Sequence, residues 1–163
     1  MPISVYLQKL RDKVGDDLVM MPAACGVVLN DWNELLLQKP KHTACWFLPG
    51  GAVDPGEQPA DAAVREIREE TSVRATPVRL AGVYHEAPVR YANGDAVQYL
   101  VTVFLCRHDG GTARVNDDES ADVRFFPLGE LPADLYPPHR ERIEHALAPV
   151  EAARFQLNGK WKP

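Results

Sequence analysis

Cysteine is scarce in this chain, and the three present, Cys25, Cys45 and Cys106, are odd in number and form no C-x-x-C pair. Neither a disulfide framework nor a cysteine zinc site is indicated, and small buried thiols in a reducing cytoplasm are the expectation. The five histidines include no metal-spaced pair on one helix, since His139 and His145 stand six apart. Long apolar runs are missing too: no segment approaches the ~20 apolar residues of a membrane span. The N-terminal MPISVYLQKLRDKVG has no basic stretch followed by an apolar run, so the expectation is a cytoplasmic protein without a membrane partner. Positive charge is not in excess, with 18 Lys and Arg against 23 Asp and Glu and a formal net charge of -5. Such a field repels nucleic acid and anionic membranes, so a phosphate-bearing ligand needs a local device such as a bound cation. Repeats and low-complexity segments are absent. What remains, at 163 residues with 45% hydrophobic and 25% charged content, is one domain over 1–163, able to bury a core.

Apolar periodicity gives the elements. Val5, Leu7, Leu10 and Val14 predict a short amphipathic helix over 1–15, stopped at Gly15 and packing on the domain or on the partner subunit of a homodimer. AACGVVL and ELLLQ, joined by Asn30-Asp31-Trp32-Asn33, read as a hairpin. PVRLAGVYHE (77–86) and AVQYLVTVFLCRH (96–108) are strands separated by the Asn93-Gly94-Asp95 turn, and DVRFFPL is another. PPHRERIEHALAPVE predicts a helix over 138–150, with Pro at its start and Ile143, Ala146 and Leu147 on one face. A further helix at 59–71 lies between strands, which implies a mixed sheet with helices on its faces.

That helix, in WFLPGGAVDPGEQPADAAVREIREETSV (46–73), carries an electrostatic conflict. At 100° per residue, Ala60, Ala63, Val64, Ile67 and Thr71 form the face expected to be buried. Glu66, Glu69 and Glu70 fall together on another side. Glu66 and Glu70 are an i,i+4 like-charge pair, which destabilises a helix by roughly 0.2–0.5 kcal/mol. Glu69 and Glu70 also sit at the negative end of the helix dipole, where cations are preferred by about 0.3–1 kcal/mol. A salt-bridged surface face recovers only part of this through Arg65 and Glu69. A hard divalent cation, Mg²⁺ or Mn²⁺, resolves it, because carboxylate oxygens are its preferred ligands. Upstream, Gly50 and Gly51 in LPGGAVDPGE allow backbone carbonyls to approach such an ion closely.

Together these residues spell Gly51, five residues, Glu57, seven residues, then Arg65-Glu66-Ile67-x-Glu69-Glu70-x-Ser72-Val73. This resembles the Nudix box of the Nudix hydrolases (MutT-like proteins), departing only at Ser72, where the family has Gly. Ser there costs roughly 1–2 kcal/mol if it must adopt the left-handed cap conformation. The Trp46 to Gly51 run and ESADVRFF (119–126) also look like the family.

The resemblance implies an α/β/α sandwich that hydrolyses a nucleoside diphosphate linked to another moiety, using Mg²⁺ or Mn²⁺. Carried over, Glu66, Glu69 and Glu70 would be metal ligands with a carbonyl of Gly50 or Gly51, and Arg65 would orient Glu57. Glu70 and Glu119 are both candidates for the general base. The family links a Pro about 15 residues beyond the box with ADP-ribose, and a Tyr slightly later with dinucleoside polyphosphates; this chain has Pro88 and Tyr91. ADP-ribose is the first expectation. Nucleoside triphosphates, including oxidised ones, follow, and a non-catalytic nucleotide sensor is the alternative of a different class. Tyr84, Tyr91 and Phe125 are candidate base-stacking residues, and Lys39 and Arg90 candidate phosphate contacts.

Overall fold

The computed structural model describes residues 5–149 and 152–162; positions 1–4 of the expected first helix and 150 of the last lie outside these. In chain order the elements are α1 (Val5–Val14), β1 (Val19–Leu29), β2 (Glu34–Pro40), β3 (Gly50–Ala52), α2 (Pro59–Thr71), β4 (Arg74–His85), β5 (Val89–Arg90), β6 (Ala96–Gly110), β7 (Ser120–Pro127), α3 (Pro137–Leu147), β8 (Phe155–Leu157) and β9 (Lys160–Lys162). The main sheet has the order β4-β6-β1-β2-β7, with β3 paired to β1 and β5 to β6. Its β1 and β6 strands run parallel from Val19↔Val97 to Leu29↔Arg107, and the neighbouring pairs are antiparallel. The mixed sheet flanked by helices is thus present. Among the described residues no helix is long and apolar enough to cross a membrane.

Burial on both faces explains why the central strands read as continuous apolar runs rather than alternations. Along β2, Leu35 and Leu37 join the cluster containing Ile143 and Ala146 of α3, while Leu36 joins the one containing Ile67 of α2. Val27 and Val28 of β1 divide in the same way. Helix α2 lies close on β1: a Cβ added at Gly26 would meet Ile67 Cδ1 at 2.6 Å. Glycine at position 26 is what allows that approach.

The expected β1–β2 hairpin forms only at its closed end. Its register contains the single pair Leu29↔Leu35, and beyond it the strands part. Residues 46–52 fill the split. Phe47 exchanges two backbone hydrogen bonds with Gln38 of β2, Gly26 N–H of β1 donates to the Pro49 carbonyl, and Gly50–Ala52 pair with Ala23–Cys25. From below, the Leu48 N–H donates to Nδ1 of His139 on α3 at 2.8 Å. His139 is buried, and desolvation holds its pKa well below the usual histidine value, so it is the neutral acceptor this bond requires. Elements 50–52, 89–90 and 155–162 were not foreseen as strands: the first two are short pieces recruited by a longer neighbour, and the last is a separate two-stranded ribbon.

Ser72 caps α2 in the left-handed region, at φ 61°, with its N–H on the Arg68 carbonyl. The remaining carbonyls of that helix end are taken by the segment between β6 and β7. Arg114 N–H donates to Thr71, Asn116 N–H to Glu70, and the Asn116 amide to Arg68 and Glu69. These donors offset part of the dipole conflict noted above. Replacing Ser72 by Gly removes the left-handed penalty at the cost of more unfolded-state entropy. Ser72→Gly should therefore stabilise the protein by about 1 kcal/mol, seen as a higher urea midpoint with unchanged slope.

Candidate active site

The split between β1 and β2 places the 46–52 segment, the second half of α2 and the start of β7 around one buried carboxylate. Glu70 Oε2 accepts from the Gly50 N–H at 2.9 Å and Oε1 from the Gln38 amide at 2.8 Å. The Gln38 carbonyl oxygen in turn accepts from the Ser120 hydroxyl at 2.9 Å. Glu70 is 9% exposed and has no cation among these partners. Burial, reinforced by the negative charges of Glu66 and Asp117, pushes its pKa well above the usual carboxylate range. Glu66, 4% exposed, is also raised, by burial first, with Arg65 opposing.

Arg65 organises the outer side. Its Nε and Nη2 clamp Glu57 at 2.9 and 3.0 Å, Nη1 donates to Glu66 at 2.7 Å, and Nη2 also reaches the Ala52 carbonyl at 3.0 Å. This bidentate ion pair depresses the Glu57 pKa and raises that of Arg65. The expected Arg65–Glu57 pairing is therefore present, and it ties α2 to the loop that follows β3. Gly51 completes the contact, since a Cβ there would fall 2.5 Å from the Glu66 carboxylate.

Two expectations about α2 change. The buried face is rotated away from Ala60 and Val64 and includes Ala62, Glu66 and Glu70. The hydrophobic wheel missed this because it counted both carboxylates as solvent-seeking, whereas they face the split. Glu69 does not join them: it lies across Arg65, with Nη1 at 3.3 Å, and is 45% exposed. Consequently, among the described residues, no three acidic, His or Cys side chains converge on one point. The site offers two buried carboxylates and the adjoining glycine backbone, all oxygen donors.

A cleft of about 480 Å³ opens over these groups, and it includes Glu66, Glu70, Gly50, Gly51 and Glu119. Tyr91 and Tyr99 also border it, their hydroxyls 2.9 Å apart. Of the other residues singled out in the sequence, Lys39 is paired with Asp134 at 2.9 Å, and Arg90 donates to the Gly94 carbonyl at 2.6 Å. Neither borders the cleft. Tyr84 is buried on the α3 side, its hydroxyl 3.0 Å from His145 Nδ1, and Phe125 packs with the cluster under α2. Neither aromatic borders the cleft. Gln38 and Ser120 escaped sequence reasoning. The signal for Gln38 was a lone amide continuing the apolar run of β2; Ser120 had none.

Comparison with known proteins agrees with this geometry. The NUDIX domain model matches residues 20–146. The chain is 36% identical over 129 residues to the ADP-ribose pyrophosphatase of Methanocaldococcus jannaschii, covering 76% of this chain and 73% of that protein. It is 37% identical over 117 residues to a Bacillus subtilis (strain 168) protein provisionally named 8-oxo-dGTP diphosphatase, covering 72% and 73%. Among solved structures, the MutT NUDIX hydrolase of Burkholderia pseudomallei superimposes with a TM-score of 0.66 at 29% identity, over 78% of this chain and 98% of that one. Box, fold and relatives coincide: the chain belongs to the NUDIX family, as a hydrolase acting on phosphoric anhydride bonds.

Proposed function

We propose that this pyrophosphohydrolase uses Mg²⁺ or Mn²⁺ to split the diphosphate bridge of a nucleoside diphosphate derivative, with ADP-ribose as first candidate. The observation that carries the metal is Glu70: a carboxylate buried against Glu66 and held only by neutral donors is short of one positive charge. Members of the family generally need a divalent metal. Two carboxylates suit Mg²⁺, which keeps several waters and takes its remaining ligands from substrate phosphates. Glu66 and Glu70, with a Gly50 or Gly51 carbonyl, would hold the ion, and Glu69 would contribute from the rim through water. When bound, the ion neutralises charge developing on the phosphates and acidifies the attacking water.

The chain's own groups supply the rest. Arg65, anchored on Glu57, donates to Glu66, opposing the rise that burial imposes on its pKa, and holds its carboxylate at the cleft. Gln38 and the Gly50 N–H fix both oxygens of Glu70. Glu119, which borders the cleft just before β7, would take the proton of the attacking water, with Glu70 as the alternative base. Tyr91 supports contact with the organic part of the substrate. The relatives support two substrate classes, since one is named for ADP-ribose and another for an oxidised nucleoside triphosphate. ADP-ribose is preferred because the relative named for it matches over the longer stretch and Pro88 stands where the family's ADP-ribose enzymes carry proline.

Glu70→Gln should lower turnover by about three orders of magnitude, roughly 4 kcal/mol of lost transition-state stabilisation, and abolish the rise in thermal stability produced by Mg²⁺. Near-wild-type turnover at saturating Mg²⁺ would remove Glu70 from the site.

Without metal the same substitution should stabilise the fold, with a defined pH dependence. The folded-state pKa of Glu70 is raised above its ordinary value of 4.5, so its stabilising effect is fully present below that value and is lost as pH rises through the folded pKa. The advantage of Glu70→Gln over wild type should therefore grow from pH 4.5 upward, measured by urea unfolding in chelator.

Hydrolysis of ADP-ribose in ¹⁸O-labelled water should give AMP and ribose 5-phosphate with label in a phosphate group. Label on a sugar carbon would contradict attack at phosphorus.

A further inference from the structure

The family match begins at residue 20, yet the cleft over Glu66 and Glu70 is also bordered by Tyr6, Leu7 and Arg11 of α1, which precedes it. Arg11 fastens this helix to the domain. Arg11, 7% exposed, donates to the carbonyls of Gly15 at 3.0 Å, Asp17 at 2.8 Å and Ala96 at 2.8 Å, and stands 3.4 Å from the Asp95 carboxylate. Asp16 packs against the same turn, within 3.0 Å of a Cβ built on Gly94. Arg11 thus joins α1 to the 93–96 turn, and that turn sets the position of Tyr91 and Tyr99: the Tyr91 N–H donates to the Asp95 carbonyl at 2.9 Å.

The cleft consequently has two ends of different chemistry. One is acidic, with Glu66, Glu70 and Glu119; the other is aromatic, with Tyr6, Tyr91 and Tyr99, three of the five tyrosines in the chain. Their separation can be read along β1. Met21 is in register with Tyr99, and Cys25 with Gly50, whose N–H holds Glu70. Four residues of extended chain span about 13 Å. That is the reach of a nucleotide from its diphosphate to its base.

We propose that α1 is the wall against which the nucleoside base of the substrate is held, stacked among Tyr6, Tyr91 and Tyr99, and that Arg11 is the positioning residue that fixes this wall. The proposal rests on the hydrolase reading above and assigns its specificity to a segment outside the matched family domain. The diphosphate lies at the acidic end, and the Tyr91–Tyr99 hydroxyl pair is available to the polar edge of the base. Tyr6 is the cleanest probe because it is 53% exposed and makes no contribution to the core.

The test is calorimetric titration of the full chain with AMP in chelator, which reads the base end without metal or turnover, together with steady-state kinetics on ADP-ribose. Tyr6→Ala should weaken AMP binding about tenfold, as loss of one stacked aromatic does, and Tyr6→Phe should restore it. In kinetics, Tyr6→Ala and Arg11→Ala should raise KM by a similar factor with kcat changed less than threefold, the pattern of lost ground-state binding. Arg11→Lys should recover part of the loss. If Arg11→Ala fails to fold, the Tyr6 pair decides alone. Unchanged AMP affinity and KM in Tyr6→Ala, with active wild-type enzyme, would overturn the wall and leave the hydrolase reading standing. A wild-type protein that turns over no nucleotide with either metal would overturn both.

Discussion

One buried carboxylate governs the arrangement of this protein's site. Glu70 reaches from α2 into the split between β1 and β2 and holds Gly50 on one side and Gln38 on the other. Without the inserted segment 46–52, Phe47 and Gln38 would lose their mutual backbone bonds, and the two strands would have no reason to diverge beyond Leu29↔Leu35. The hydrogen bonds at Glu70 are therefore part of the sheet's connectivity, yet the group making them is disfavoured by its surroundings. Two neutral donors offset only part of the desolvation of an ionised carboxylate, and Glu66 adds repulsion. A fold that positions such a group accurately and leaves its charge uncompensated stores a preference for a cation in its own architecture.

The opposite side of the same segment is held by a group with the reverse requirement. His139 must be neutral to accept from Leu48, and burial among apolar neighbours keeps it so. Segment 46–52 is thus pinned between a histidine that resists protonation and a carboxylate whose ionisation is costly. Neither anchor involves a flexible surface ion pair. This matters for a site whose oxygen donors need a fixed geometry, because buried contacts are screened by salt far less than exposed ion pairs.

Much of this was legible in the sequence. Helix 59–71 follows from its periodicity and flanking Pro59, the strands from their apolar runs, and the Arg65–Glu57 pair from box spacing. The left-handed cap at Ser72 was foreseeable because the box calls for glycine there. The failures have physical causes. Hydrophobic periodicity treats every Glu as exposed, so it turned α2 away from its true buried face. Grouping Glu69 with Glu66 and Glu70 followed from helix angles alone, which do not register that Arg65 draws Glu69 outward. Lys39 and Arg90 were selected by charge, but each is occupied by a nearer partner, Asp134 and the Gly94 carbonyl. Tertiary proximity decides such pairings, and a single sequence does not encode it locally.

The same reasoning explains why the N-terminal helix gave no functional signal. Its four apolar positions describe an ordinary amphipathic segment, and Arg11 lies between them as a typical surface residue would. Only the fold reveals that Arg11 is buried and bridges to a turn more than eighty residues away in sequence. The box carboxylates Glu66, Glu69 and Glu70 sit in one compact stretch of sequence. Recognition of the rest of the substrate is free to use any surface that reaches the cleft. The box carboxylates are accordingly readable from local spacing, whereas the approach of Tyr6, Leu7 and Arg11 of α1 to the same cleft becomes readable only when three dimensions bring them together.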